Sequence, residues 1–251
     1  GDHVVTLETI SKTIKLSCVS ISEDYTPYAR QRESKIKAWC DSHKIEFLIV
    51  TNHCLNAPTS LFTQSGAAYQ IFSPYYNRAR TLCDTNVIPR VKNAAFKTLP
   101  HTSFLKDVKN SVADKLSFNA LNKFYVTQSE IGEFYGTRKC ALQRLAKLSK
   151  EHGEYEMDRA RIDKESTRLS PYLKFGLIGI RETYRHIMKH VSKPDALLRE
   201  LHFRDFYMYI AHHNPHVFTT QFKKESAQKL KKIWKNKPSF IEAWKFGKTG
   251  V

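Results

Sequence analysis

Two strand-length apolar runs bracket a helix-length amphipathic one near the start of the chain, and that order leaves few folds open. "IKLSCVSI", Ile14 to Ile21, is rich in β-branched and apolar residues and reads as a strand. "YARQRESKIKAWCDSHK" follows, with Ile36 and Cys40 four apart and charges on the other side, so it reads as a helix. "IEFLIV", Ile45 to Val50, is again an apolar run of strand length. Strand, helix, strand with buried-looking strands predicts a parallel β-α-β unit. Two strands make a poor sheet by themselves, so the reading expects partners from outside this stretch or from another chain.

The pattern then changes. Residues 1–85 read as a partial α/β domain with a Rossmann-like parallel sheet. Residues 86–125 mix prolines, lysines and scattered apolar residues and read as a connection, with one helical turn near Asp107 to Leu116. From residue 126 to 251 the periodicity is helical. Ile131, Phe134, Tyr135, Cys140, Leu142, Leu145 and Leu148 recur at three- and four-residue steps, and Ile180, Tyr184, Ile187, Met188 and Val191 form a second stripe. "ALLRELHFRDFYMYIAHH" is apolar on most sides, which predicts a largely buried helix. The last stretch is lysine-rich, with Leu230, Trp234 and Trp244 as anchors. The fold class expected is thus α/β followed by all-α.

Charge narrows the function. The chain carries 41 Lys and Arg against 24 Asp and Glu, a formal net charge of +17. That excess favours a polyanionic partner, nucleic acid first, although a generally solvated basic surface gives the same count. The five cysteines, Cys18, Cys40, Cys54, Cys83 and Cys140, are odd in number, widely spaced and without a C-x-x-C. This argues against a disulfide framework or zinc ribbon and for a reducing, intracellular compartment, cytoplasm or nucleus. No apolar run is long enough to span a membrane, and no metal site is expected.

One stretch invites a ligand. "ESTRLSPYLKFG" starts a helix at Ser170-Pro171, where serine can cap and proline suits the first turn; Gly176 can end that helix and Gly179 begin the next. Ser166, Thr167 and Ser170 add three hydroxyls within five residues, with Arg168 among them. Beside the amides of a helix start, this set suits a phosphate or pyrophosphate. Tyr155 and Arg159 are four apart and share a helix face. Glu200, Phe203, Arg204 and Tyr207 fall at i, i+3, i+4 and i+7. A simple Glu200–Arg204 ion pair accounts for part of this, but in so apolar a helix the pair points to a lined cavity.

These residues resemble the DNA photolyase/cryptochrome family. "EDYTPYARQRESKIKAWC" is similar to its D-Y-x-P-Y-x-x-x-R-D segment, and "SGAAYQIFSPYYNRA" to G-x-x-Y-x-V-F-T-P-F/Y. "STRLSPYLKFGLIGIRETY" resembles T-S-x-L-S-P-Y-L-x-F-G-x-I-S-x-R-x-x-Y, "RELHFRDFY" resembles E-L-x-W-R-[ED]-F-Y, and "AWKFGKTGV" the start of W-x-x-G-x-T-G-x-P. The resemblance implies an α/β antenna domain joined to a helical domain that holds FAD. It implies repair in which a pyrimidine dimer is flipped into a pocket and split by electron transfer from photoexcited reduced flavin, a carbon–carbon lyase reaction. By motif position, Tyr155, Ser166, Thr167, Arg168, Leu169 and Ser170 would hold the flavin phosphates and nearby groups, with Leu197 and Arg204 near the flavin. Glu200 and Phe203 would be catalytic and face the flipped lesion, Arg204 would serve the DNA site too, and Arg159 would contact a DNA phosphate. An antenna chromophore of the folate or deazaflavin type is compatible with the resemblance.

The departures set the alternatives. Phe203 stands where the family has tryptophan, keeping a stacking face but losing the indole N–H. The first antenna strands, and nearly everything after the T-G step, have no counterpart here, so the resemblance covers a middle portion of a photolyase. The missing part would supply the other flavin walls and the tryptophan relay. A damaged-DNA repair enzyme completed by a second polypeptide, a cryptochrome-like blue-light sensor, and an inactive nucleic-acid-binding remnant all follow from it, with the isolated chain expected to be inactive.

Overall fold

In the computed structural model, which describes residues 2–83, 136–223 and 237–250, the chain opens on a helix that periodicity does not announce. Helix α1, His3–Ser11, starts because the Asp2 carboxylate accepts from Val4 N (2.8 Å) and Val5 N (3.4 Å). Thr13 and Ile14 bond back to the Ile10 carbonyl, so the strand expected from Ile14 forms only as β1, Cys18–Ser22. Helix α2, Pro27–Ser42, follows with Thr26 as cap and Pro27 in the first turn. Strand β2, Glu46–Val50, pairs with β1 in parallel, Cys18 against Glu46 through Ser22 against Val50.

One face of this sheet is partly covered, with Ile49 at its end 50% exposed. Val19 and Phe47 meet Ile36, Trp39 and Cys40 of α2 and Val4 and Leu7 of α1. Trp39 also donates its indole N–H to Glu8 at 2.8 Å, tying the two helices. Leu48 and Val50 alternate to the other face and are exposed.

The remaining helices of the first compact unit, which runs to His213, are α3 (Phe72–Leu82), α4 (Arg138–Glu151), α5 (Tyr155–Asp158), α6 (Ser170–Lys174), α7 (Ile180–His190) and α8 (Asp195–His213). Helix α8 is buried on most sides, as its composition predicts. One flank packs with Leu145, Leu148, Tyr172, Ile178 and Ile187 in the largest core cluster. Another meets Leu61, Phe72, Tyr75 and Ala79 through Phe206 and Tyr209.

The segment after β2 is strung along α8 by backbone hydrogen bonds spaced about a turn apart. Asp205 accepts from Leu55 N (2.6 Å) and Asn56 N (3.3 Å). Tyr209 donates to Leu61 O (2.8 Å) and accepts from Tyr69 N (3.0 Å), and His213 meets Pro58 O (2.9 Å). An irregular segment with few strand bonds of its own must satisfy its amides somewhere, and α8 supplies the partners.

Several expected positions shift. Leu142 and Met188 are exposed, while Ala141 and Thr183 are buried. At 100° per residue the faces center on 141, 145, 148 and on 180, 183, 187, which leaves 142 and 188 at the edge. Ile131, Phe134, Tyr135, Leu230, Trp234 and the turn near Asp107 to Leu116 lie outside the described residues. In the second unit, from Asn214, a 3-10 turn at Pro215–Phe218 and helix α9, Pro238–Lys245, are described. Trp244, expected as an anchor, is 73% exposed there. Among the described residues no helix is long and apolar enough to cross a membrane.

Candidate functional site

Helix α5 is a single turn, and Arg159 closes it with its backbone N–H on the Tyr155 carbonyl at 2.9 Å. The turn puts Tyr155 and Arg159 on one side, facing α8. Arg159 Nη1 reaches Glu200 Oε1 at 2.7 Å. The Tyr155 hydroxyl is pushed up from its ordinary pKa, first by burial and then by the Glu200 charge, with Arg159 opposing. Three residues that the sequence assigns to flavin, phosphate and lesion therefore form one cluster.

The expected Glu200–Arg204 pair is replaced by two separate contacts. Glu200 turns to Arg159. Arg204 donates to the His53 carbonyl and lies 3.5 Å from Asp205 Oδ1. The physical reason is the path of the segment after β2, which offers Arg204 a backbone acceptor that Glu200, one turn earlier, does not meet.

The hydroxyl-rich turn is held from within. Arg168 has φ +49°, a left-handed backbone uncommon for a non-glycine residue. Its Nε meets Glu165 Oε1 at 2.6 Å, and Arg144 approaches the same oxygen at 3.7 Å. Leu169 is buried and occupies the cap position of α6 without a side-chain cap. Ser170 is the first helical residue instead of the cap expected of it, so its hydroxyl is not used on the helix. Ser166 and Ser170 are exposed and Thr167 half-buried, and among the described residues none of the three hydroxyls has a hydrogen-bond partner. Gly176, at φ +68°, ends α6, and Gly179 starts α7 with its N–H on the Glu182 carboxylate at 3.3 Å.

Leu197 is buried in the same cluster as Leu169, so both back the turn from the core side. Phe203 is half-buried and stacks face to face on Phe72, with ring centers 3.4 Å apart. The Arg199 guanidinium sits over Phe72, Tyr76 and Phe203 at 5.6–6.0 Å.

Sequence reasoning did not anticipate a second concavity. A cleft of about 630 Å³ opens between the carboxyl ends of β1 and β2 and the α6–α7 link. Glu23, Asp24, Tyr25 and His53 line one wall; Lys174 and Arg204 line the other. Burial, then Arg204, holds His53 below its ordinary pKa, while burial, then Asp24, raises Tyr25. A crevice outside the carboxyl ends of parallel strands is where open α/β sheets bind ligands. The acidic "ED" directly after the β1 run was the available signal. Among the described residues no group of three or more His, Cys, Asp or Glu could hold a metal.

Comparison with known proteins places these features. Residues 1–95 match the DNA photolyase family model. The chain is 24% identical to the deoxyribodipyrimidine photo-lyase of Halobacterium salinarum, over 100% of this chain and 52% of that protein. It is also 24% identical to rat Cryptochrome-1, over 95% of this chain and 42% of that one. Its structure is similar to the archaeal photolyase of Sulfolobus tokodaii, solved with two FAD molecules, at 26% identity and TM-score 0.69, over 98% of this chain and 50% of that one. The chain spans about half the length of these relatives, and over that length it is similar in sequence and fold to members of the DNA photolyase/cryptochrome family.

Proposed function

We propose that this chain forms one side of a photolyase-type site that holds FAD and repairs pyrimidine dimers in damaged DNA, with the rest of the site contributed by polypeptide beyond these residues or by a second chain. The observation that carries the reading is the meeting of Tyr155, Arg159 and Glu200 beside a turn whose three hydroxyls have no partner among the described residues. Those hydroxyls and the amides at the start of α6 fit the diphosphate of FAD, and the buried Leu169 and Leu197 fit the role of a rigid backing. When bound, reduced FAD would supply the photoexcited electron. The residues of this chain bind and orient: Arg159 takes a DNA phosphate and Glu200 accepts a hydrogen bond from the damaged base. The net charge of +17 supports the phosphate contacts.

The cleft at the strand ends is a candidate for the antenna chromophore, of the folate, deazaflavin or flavin type. Its volume lies in the range of small-molecule sites, and its walls carry charges of both signs.

A cryptochrome-like sensor is the second reading. It is favored by Phe203, one face of which is taken by Phe72, and identities of 24% to both a photolyase and a cryptochrome do not separate the two. The deciding experiment is co-expression with a polypeptide carrying the remaining half, followed by flavin absorbance and light-dependent loss of dimers from an oligonucleotide. Repair requires both signals. Bound flavin with no dimer loss and no preference for damaged DNA selects the sensor. Absence of flavin from every such pairing contradicts both.

A further inference from the structure

Cations of α5, its flanks and the hydroxyl-rich turn already hold carboxylates. Lys193 meets Glu154 at 2.7 Å, Arg161 meets Asp163 at 2.6 Å and Arg168 meets Glu165 at 2.6 Å. Arg159 differs from Arg161 and Arg168 in its reach: its carboxylate comes from Glu200, 41 positions away on α8. The two side chains are 42% and 39% exposed, so the pair stands in contact with water and is open to competition.

We infer that Glu200 is the resident counter-ion of Arg159, and that a phosphodiester binding Arg159 displaces it and frees its carboxylate. This rests on the proposed DNA-binding function and adds how the site is regulated. A phosphodiester presents the same kind of anionic, bidentate acceptor to a guanidinium as a carboxylate does. An exposed ion pair is weak, so the exchange is close to balanced and is driven by the other backbone contacts of a strongly basic chain. Two consequences follow. Before nucleic acid arrives, Arg159 is neutralized and the Oε1 oxygen of Glu200 is occupied. After it arrives, Glu200 has lost its partner, so a ligand that also presents a donor to Glu200 is preferred over plain backbone. The pair therefore acts as a discriminating element, in which undamaged backbone leaves a carboxylate unpaired and an extruded base that donates to it does not.

The test uses the full 251-residue chain and an undamaged fluorescent duplex, with affinity measured by anisotropy across a salt series. Glu200→Gln is expected to tighten binding at low salt by about 2–5-fold. Because the Arg159 contact to the phosphodiester forms in both proteins, Glu200→Gln should keep the wild-type slope of log affinity against log salt, whereas Arg159→Ala should make it shallower by about 0.9, the value of one lost phosphate contact. In an Arg159→Ala background the Glu200→Gln substitution should tighten binding much less. That comparison separates exchange at Arg159 from the general effect of removing a negative charge, and melting curves of all four proteins check that the folds are equal. An unchanged slope in Arg159→Ala, or equal tightening by Glu200→Gln in both backgrounds, overturns the exchange while leaving DNA binding intact. No measurable duplex binding by any variant overturns the DNA-binding reading and the exchange together.

Discussion

His202 and Asp205 sit one turn apart on α8, each 1% exposed, and they titrate in opposite senses. Burial depresses His202 to about 4, and among the described residues neither ring nitrogen has a hydrogen-bond partner. A depressed folded pKa means that its contribution is whole above the ordinary 6.5 and is lost as pH falls toward 4. That loss is on the order of 3 kcal/mol. Burial pushes Asp205 up to about 7 despite two backbone N–H donors. Its contribution is therefore whole at low pH and lost as pH rises through 7. Thermal melts between pH 4.5 and 7.5 should show His202→Phe less acid-sensitive than the wild type. Asp205→Ala leaves Leu55 N and Asn56 N without their acceptor and should cost about 2–4 kcal/mol at pH 6 in chemical denaturation. At the candidate site, Glu200→Gln removes the charge that helps raise Tyr155, so ultraviolet titration should find the Tyr155 hydroxyl ionizing at lower pH in that variant.

Among the elements, helices with a strict apolar period were legible in the sequence and those built by capping were not. Stripes through Leu145 and Leu148 and through Ile180 and Ile187 are core faces, because period alone decides which side of a packed helix is dry. Helix α1 was missed because "HVVTLETIS" has no helical stripe; Asp2 and packing on α2 make it. The residues of the candidate site were legible as motif positions, and Tyr155, Arg159 and Glu200 do come together. Their pairing was not legible, since which carboxylate Arg159 selects depends on how α5 lies against α8. The cleft at the strand ends was hidden for the same reason, as its walls are about 150 residues apart in sequence. The Tyr209 hydroxyl, which serves both Leu61 O and Tyr69 N, makes a sharp test of how α8 holds the preceding segment. Tyr209→Phe should lower unfolding free energy by about 1–3 kcal/mol, read from the denaturant midpoint at unchanged slope.

For the molecule as a whole, the sheet and the proposed flavin site raise the same issue. Parallel sheets are usually covered on both faces, yet Leu48 and Val50 are exposed on a two-stranded one. The chain spans about half the length of the Halobacterium salinarum photo-lyase and of the Sulfolobus tokodaii photolyase, and its proposed flavin residues would form one wall. In the proposed function the Ser166–Ser170 turn grips the diphosphate of FAD. The most direct test is the FAD dissociation constant of this chain co-purified with a polypeptide carrying the remaining half, compared with the Ser166→Ala, Thr167→Val, Ser170→Ala triple variant. The account predicts weakening of at least about tenfold for the triple variant, from the loss of charge-assisted hydrogen bonds, with little change for riboflavin, which has no phosphate. Equal FAD affinity in the two proteins would contradict it.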